Sequence, residues 1–107
     1  MSYERAFDAR VLKEQIGFWN LGAISGGRIQ VLQEDGQTVE ARLPVSNGYF
    51  VQITLAANDT YTVSRVFKRS GKLINKGTVE GVYFDEVGEV AYQASCFRSN
   101  EFGKVSA

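Results

Sequence analysis

The basic residues between positions 65 and 76 are the group in this sequence best placed to act chemically together. Five cations share a stretch of twelve residues that contains no acid: Arg65, Lys68, Arg69, Lys72 and Lys76. Two aromatic residues, Tyr61 and Phe67, are interleaved with them. A cationic β-ribbon can follow a phosphate backbone while an aromatic ring stacks on a base. The pattern predicts a nucleic-acid-binding hairpin; the alternatives are a solvated hairpin whose lysines discourage aggregation, or a surface for an acidic protein.

Enzymatic chemistry is disfavoured by the residues that the chain lacks. Its 107 residues include no histidine, and Cys96 is the single cysteine. Ser-His-Asp and Cys-His nucleophiles, histidine-containing zinc sites and thiolate clusters are therefore ruled out. One cysteine also leaves no intrachain disulfide, which fits a reducing cytosol. We expect a protein that is not an enzyme, needs no metal or other cofactor and works in the cytoplasm.

Acidic residues after the strand region form the counterpart of the basic segment: Glu80, Asp85, Glu86 and Glu89. They could pair with the basic segment of the same chain or of a second copy, and acids at a helix start also compensate the helix dipole. No glycine-bearing loop of the calcium-binding kind accompanies them. The glycine-bearing segment 22–28 lacks the Lys-Ser/Thr pair of a phosphate-binding loop, so a plain turn is expected there.

Overall charge and hydropathy bear on whether the chain binds nucleic acid non-specifically, is secreted or enters a membrane. Twelve basic and twelve acidic residues cancel, so net charge gives the chain no strong grip on nucleic acid. The first residues include Glu4, Arg5 and Asp8 with no apolar run behind them, unlike an ordinary signal peptide. No stretch approaches the roughly 18–20 apolar residues that a membrane helix needs. We expect no membrane partner.

The N-terminal segment from Tyr3 to Ile16 has the spacing of an amphipathic helix. Its apolar positions lie about one turn apart: Phe7, Val11, Leu12 and Ile16. Ser2 is a candidate N-cap, and Gly17 stands where a left-handed residue would close the helix. The following segment, from Phe18 to Ile24, alternates as a short strand would, but its small residues leave its assignment open.

The segment from Tyr83 to Phe97 has the strongest helical pattern in the chain. Its apolar and small residues recur at offsets of four, seven, eight and eleven: Tyr83, Val87, Val90, Ala91 and Ala94. Acids lie in its first turns and Arg98 follows its end, as the helix dipole prefers. A second helix is therefore predicted here.

Between the two helices the hydrophobic period changes to two, which is typical of β-strands. The alternating runs begin at Arg28, Val39, Tyr49, Tyr61 and Lys72. Asp35-Gly36 and Asn47-Gly48 are preferred pairs for tight hairpin turns, and Ser70-Gly71 is a further turn. Pro44 should end a strand or lie at an edge, and Gly77 is expected at a bulge or strand end.

This order predicts an α+β fold. A four- to five-stranded antiparallel meander is flanked by an N-terminal and a C-terminal helix, both packed on one sheet face. The length suits a single domain spanning residues 1–107, with residues 1–3 and 102–107 expected to be frayed. The other sheet face would be free for solvent or a partner.

Two runs in the chain resemble sequences of a known group. They are Asn58-Asp59-Thr60-Tyr61-Thr62-Val63 and Gly81-Val82-Tyr83-Phe84-Asp85-Glu86-Val87-Gly88-Glu89. They are similar to those of small uncharacterised bacteriophage and prophage proteins, in which an NDTY-like turn precedes a strand and a GVY-D box opens a final helix. The segment 21–26 is also similar, and the resemblance spans residues 16–97. Because that group has no assigned function, the resemblance implies a phage or mobile-element origin and a bacterial cytoplasm, but no chemistry.

Two functions remain for a chain of this kind. The first is a small non-enzymatic phage-like binding module that contacts nucleic acid through the basic hairpin. The second is a protein-interaction module that binds and modulates a host or phage protein, and a homodimer is compatible with either. Phe18, Trp19, Tyr49 and Phe50 could form an exposed aromatic platform, but aromatic residues of a small domain are more often buried, which is the expectation here.

Overall fold

The computed structural model describes residues 5–98 and 102–103, which have an α+β architecture. Within them, a five-stranded antiparallel sheet is combined with three helices. In chain order the elements are α1 (Ala9–Ile16), α2 (Phe18–Ser25), β1 (Gln30–Glu34), β2 (Gln37–Pro44), β3 (Tyr49–Leu55), β4 (Tyr61–Arg69), β5 (Lys72–Val82) and α3 (Val87–Ser95). The strand order β1-β2-β3-β4-β5 follows the chain. The predicted antiparallel meander is therefore confirmed.

Tight turns of left-handed residues join most strands of the meander. Both central residues of three turns have positive φ: Asp35-Gly36, Asn47-Gly48 and Ser70-Gly71. This conformation is typical of type I′ turns, whose twist matches that of the flanking strands. The longer loop between β3 and β4 is held by Asn58, whose Oδ1 accepts hydrogen bonds from the Thr60 backbone N–H at 3.3 Å and hydroxyl at 2.7 Å. The turn residues of the sequence thus predicted these connections correctly.

Helix α1 is shorter than the sequence pattern indicated. It begins at Ala9 rather than Tyr3, and Asp8 caps it by accepting a hydrogen bond from the Arg10 backbone N–H at 2.8 Å. A capping carboxylate satisfies one of the N–H groups that a helix start leaves without an intrahelical partner. The predicted cap, Ser2, and the predicted start lie outside the described residues.

The residues before α1 are extended and join the sheet. Arg5 forms an antiparallel bridge with Leu55, and Phe7 forms one with Thr38. The Phe7 N–H donates to the Thr38 carbonyl at 2.9 Å. Strands β2 and β3 pair with each other only from Ala41 and Ile53 onward. The segment before α1 pairs with the two strands beyond that point, where they no longer pair with each other. The helical reading of Phe7 was wrong because backbone pairing to the sheet outweighs its helical spacing.

The segment whose assignment the sequence left open is helix α2, not a strand. Leu21 and Ile24, three residues apart, are both buried, so the apolar period is helical. Gly17, at φ 91°, separates α2 from α1. Gly26 adopts the left-handed conformation at the end of α2, and its N–H bonds to carbonyls of the last turn. The start and the end of the short helix are therefore set by these two glycines rather than by the composition of the helix itself.

Helix α3 begins at Val87, four residues after the predicted start, because Tyr83 opens a hydrogen-bonded turn that precedes it. It also ends two residues earlier than predicted. Gly88 lies directly against the end of α1, where a Cβ atom would overlap the Ile16 carbonyl oxygen and lie 2.8 Å from Asn20 Nδ2. The missing side chain of Gly88 therefore lets α3 pack closely on the junction of α1 and α2.

One apolar core lies between the helices and one face of the sheet. Its largest fully buried apolar side chains are Leu12, Ile16, Leu43, Val51, Ile53, Val63 and Val87. They come from the helices and from alternate positions of the central strands, so the helices cover one sheet face, as predicted. Among the helices of the described residues, none has the length and apolar character needed to span a bilayer.

Residues 102–103 lie against β5. The Thr78 N–H donates to the Gly103 carbonyl at 3.0 Å, and the Phe102 ring is buried. Gly77 makes this approach possible, because a Cβ atom there would overlap the Phe102 carbonyl oxygen. The β4–β5 register shifts opposite Gly77, as the predicted bulge requires. The expected fraying is therefore wrong for Phe102 and Gly103; residues 1–3 and 104–107 lie outside the described part of the chain.

Candidate functional site

Arg65, the first cation of the predicted hairpin site, is buried beneath α3. It is 4% exposed, and its Nε donates to the Ala94 carbonyl at 2.6 Å. Its Nη2 donates to the carbonyls of Gln93 at 3.0 Å and Cys96 at 3.3 Å. Carbonyls at a helix C-terminus lack intrahelical donors and carry the negative end of the dipole. Burial lowers the pKa of Arg65, but an arginine stays protonated. Arg65 is thus a cap for α3 and is not placed to contact phosphate.

Tyr61 is also removed from the surface. Its hydroxyl donates to Gln15 Oε1 at 2.5 Å, and its ring meets the edge of Phe7 with centroids 6.2 Å apart. Burial raises the pKa of Tyr61. A ring held in this way has no open face on which a base could stack.

Phe67 is half-buried in a row of aromatic rings. Its centroid is 4.9 Å from that of Tyr49, which in turn stacks on Phe97 at 4.2 Å. Phe67 therefore packs into this row close to the β4–β5 turn, and neither aromatic ring predicted to stack on a base is fully exposed beside the cations.

The remaining four cations lie on the outer half of the β4–β5 hairpin: Lys68, Arg69 and Lys72 border the turn, and Lys76 lies four residues further along β5. We call this group the basic tip: Lys68, Arg69, Lys72 and Lys76. All four are exposed, and Arg69 lies directly opposite Lys72 across the turn. Within the described residues no ion pair joins the tip to the acids around the start of α3. The intramolecular pairing that the sequence left open is therefore not formed by these side chains.

A second group of polar residues lies on the sheet face opposite the helices. We call it the polar pocket; it is a cavity of about 310 Å³ lined by Glu40, Arg42, Gln52, Thr54, Thr62, Ser64 and Leu73. Side chains from β2, β3, β4 and β5 thus converge on one concave surface. Strand alternation is a partial sequence signal for the pocket, because its polar residues on β3 and β4 alternate with apolar residues of the opposite face: Gln52, Thr54, Thr62 and Ser64.

Glu40 and Arg42 form an ion pair in the polar pocket. Glu40 is 1% exposed, and Arg42 Nε donates to its Oε2. The Arg42 guanidinium also lies over the Phe50 ring, 4.9 Å from its centroid. Two neighbours therefore fix the guanidinium plane, which leaves its two Nη groups as oriented donors at the pocket wall. Sequence reasoning missed this pair because neither residue stands out in a local motif.

Exposed aromatic residues lie on the helical side of the molecule. We call this group the aromatic corner: Phe18, Trp19, Tyr83 and Phe84. Phe18 is 80% exposed and Trp19 84%, and their rings meet edge to face at 5.4 Å. Since Gly88 contacts the end of α1, the loop before α3 and the start of α2 lie at the same end of the helical layer. The expectation that Phe18 and Trp19 are core residues was wrong, whereas Phe50 is buried and Tyr49 half-buried.

The remaining candidates offer little chemistry. Cys96 is half-buried, and its thiol donates to the Tyr92 carbonyl at 3.4 Å. In the described part of the chain, no three acidic or cysteine side chains cluster closely enough to hold a metal ion. Comparison of the chain with protein-family models, with curated proteins and with solved structures finds no match in any of the three.

Proposed function

We propose that this chain is a small non-enzymatic binding module whose basic tip contacts the phosphates of nucleic acid. The observation that carries the proposal is the exposure of Lys68, Arg69 and Lys72 beside one turn, with Lys76 further along β5 and no ion pair to any of them among the described residues. A projecting two-stranded ribbon can enter a groove or follow a backbone. The resemblance to bacteriophage proteins supports a role in a bacterial cytoplasm.

The number of cations sets the strength expected of this contact. Four phosphate contacts give a slope of log K against log salt of about −2.8 on a single strand and about −3.6 on duplex DNA. Affinity should therefore fall about 50- to 150-fold between 50 and 200 mM salt. A module of this kind binds weakly on its own and without strong sequence preference, since phosphate contacts carry no direct sequence information.

The proposal is tested by fluorescence anisotropy with labelled single- and double-stranded DNA and RNA over this salt range. The double variant Arg69→Gln/Lys72→Gln should lower affinity at 50 mM salt by about tenfold or more and halve the salt slope. The matched control Arg10→Gln/Lys13→Gln removes one arginine and one lysine from the exposed side of α1. Equal losses in the two variants, or no binding by the unmodified protein at 50 mM salt, would contradict the proposal.

A second candidate function, protein binding, is favoured by the aromatic corner. Exposed rings that meet each other are characteristic of protein interfaces, which are enriched in aromatic residues. Its partner would be a host or phage protein, or a second copy of the chain in a homodimer. A photo-crosslinking residue at Trp19 should give a defined adduct in cells, whereas the same residue at Val31 should not. Sedimentation velocity of Trp19→Ser against the unmodified chain separates a homodimer from a foreign partner.

A further inference from the structure

The polar pocket lies on a different part of the molecule from the helical layer, and its chemistry is more specific than that of the basic tip. We propose that it binds a small hydroxyl-bearing molecule with one oxyanion group, either a hydroxylated carboxylate or a sugar phosphate. Arg42 would hold the oxyanion, and the neighbouring hydroxyl and amide side chains would hold the hydroxyl groups. Lys68 of the basic tip borders this site, but the lining of the pocket contains no residue of the tip.

The first support is the Glu40–Arg42 pair itself. Removing a carboxylate from water is costly, and a buried ion pair contributes little to stability compared with apolar residues of the same volume. Stability alone therefore gives a weak reason for an ion pair with Glu40 at 1% exposure on a sheet face that none of the described helices covers. Arg42 is bound through Nε, and no described protein group forms a hydrogen bond with its Nη atoms. A guanidinium fixed at Nε presents its Nη pair to two oxygens of one oxyanion.

The second support is the continuous polar row beside Arg42. Across four adjacent strands the sheet register places Arg42 opposite Gln52, Gln52 opposite Ser64, and Ser64 opposite Thr78. Neighbouring strands are about 4.8 Å apart, so the row spans about 14 Å. Ser64 and Thr78 bond to each other at 2.9 Å, which closes the far end of the row.

The third support is the number of polar groups left for a ligand. Gln52, Thr54 and Thr62 line the cavity, and in the described residues their side chains form no hydrogen bond to protein groups. Together they offer donors and acceptors in the mixture that hydroxyl groups require. A volume of about 310 Å³ is at the lower end of the range for ligand pockets, which limits the ligand to a small molecule.

The charge of the site limits the ligand to one anionic group. Glu40 neutralises Arg42, and the pocket has no further charged side chain in its lining. Lys68, directly opposite Leu73 in the β4–β5 register, lies next to the pocket wall and adds one positive charge there. A neutral sugar leaves the Arg42 donors unused, and a polyanion exceeds the cavity.

The test is a titration followed by ¹⁵N NMR with two probes, ribose 5-phosphate and gluconate, and with ribose as the neutral control at matched ionic strength. Saturable shifts of Arg42 Nε and of the Gln52 and Thr62 amides are expected with a Kd of about 1 mM or tighter. Binding of ribose 5-phosphate alone would assign a phosphate ligand, and binding of gluconate alone a carboxylate. Ribose binding as well as either anion, or no saturable shift up to about 10 mM, would overturn the proposal.

Variants distinguish the pocket from the basic tip. Arg42→Lys keeps the charge beside Glu40 but removes the forked donor, and it should weaken binding about tenfold. Thr62→Val removes only a hydroxyl and should weaken binding severalfold, which gives a second variant if Arg42→Lys does not fold. Arg69→Gln, at the tip, should leave the Kd unchanged while it weakens nucleic-acid binding. If neither pocket variant alters the Kd, the pocket is not the binding site.

Discussion

The two faces of the sheet each hold a largely buried arginine, and the two are used in opposite ways. On the covered face, Arg65 donates to three carbonyls at the end of α3, so these acceptors engage its guanidinium within the protein. On the open face, Arg42 is held at Nε by Glu40 and from below by Phe50. The same residue type is therefore a structural cap where a helix covers it, and an oriented donor where no helix of the described residues does. What lies over a strand, rather than the residue itself, decides which role an arginine takes.

The largest effect that separates the two faces is expected from Arg65→Met. The variant keeps an unbranched apolar stem but leaves helix-end carbonyls without their donor, so the free energy of unfolding should fall by about 2–4 kcal/mol. Urea denaturation measures this change. The matched control is Arg69→Met, four residues along the same strand and exposed, which should change stability by about 0.5 kcal/mol or less. Similar losses in the two variants would show that Arg65 does not cap α3.

The next largest effect tests how closely the covered face is packed. Gly88→Ala places a methyl group against the Ile16 carbonyl and should destabilise the protein by about 1–3 kcal/mol, because α3 must move away from α1. Thermal unfolding followed by circular dichroism gives the comparison. Thr62→Val, which places a methyl group on the open face, should change the free energy of unfolding by no more than about 0.5 kcal/mol. A neutral Gly88→Ala would mean that α3 is less tightly held than its contacts indicate.

A smaller effect is expected for the ion pair of the open face. In a double-mutant cycle of Glu40→Gln and Arg42→Gln, each single change leaves one partner unpaired, while the double variant removes both charges. The coupling free energy should be about 1–2 kcal/mol, and the double variant should be more stable than the sum of the single losses predicts. Additive single losses would show that the two side chains do not act as a pair.

The smallest effect concerns pH. Burial raises the pKa of Tyr61 in the folded protein above the ordinary tyrosine value of about 10. Its contribution to stability is fully present below pH ~10 and is lost as the pH rises through the folded pKa, because the unfolded chain ionises first. Tyr61→Phe should lower the free energy of unfolding by about 1 kcal/mol at neutral pH through the lost bond to Gln15. Above pH ~10 the free energy of unfolding of the variant should fall less steeply than that of the unmodified protein. Parallel declines for the variant and the unmodified protein would contradict this assignment.

Strand alternation and turn residues predicted most of the sheet. The pairs Asp35-Gly36 and Asn47-Gly48 located two hairpins, since few residues accept positive φ at both turn positions. Alternation also held a clue to Arg65, because it placed this residue on the same face as Val63, whose side chain is in the core. A cation at an apolar position of this kind indicates a buried partner rather than a surface contact.

The remaining features depend on contacts between distant parts of the chain. Helix α2 is bounded by Gly17 and Gly26, and its burial of Leu21 and Ile24 depends on α3, which comes much later in the sequence. The polar pocket requires the register of four strands at once, and no local pattern gives that register. Trp19 is exposed because segment 18–25 is a helix whose buried side holds Leu21 and Ile24. The composition of the segment did not decide between a helix and a strand.

The bonds from Arg65 to α3 have a consequence for the order in which the protein folds. Every strand pairs with its neighbour in the chain, so the sheet can assemble one hairpin at a time with short loop closures. The acceptors of Arg65, however, lie 28 to 31 residues further along, at the end of α3. A sheet formed before the helix docks would hold a charge on its apolar face without these acceptors. We therefore expect central-strand and α3 amides to exchange with solvent through one shared opening; separate opening free energies would refute this coupling.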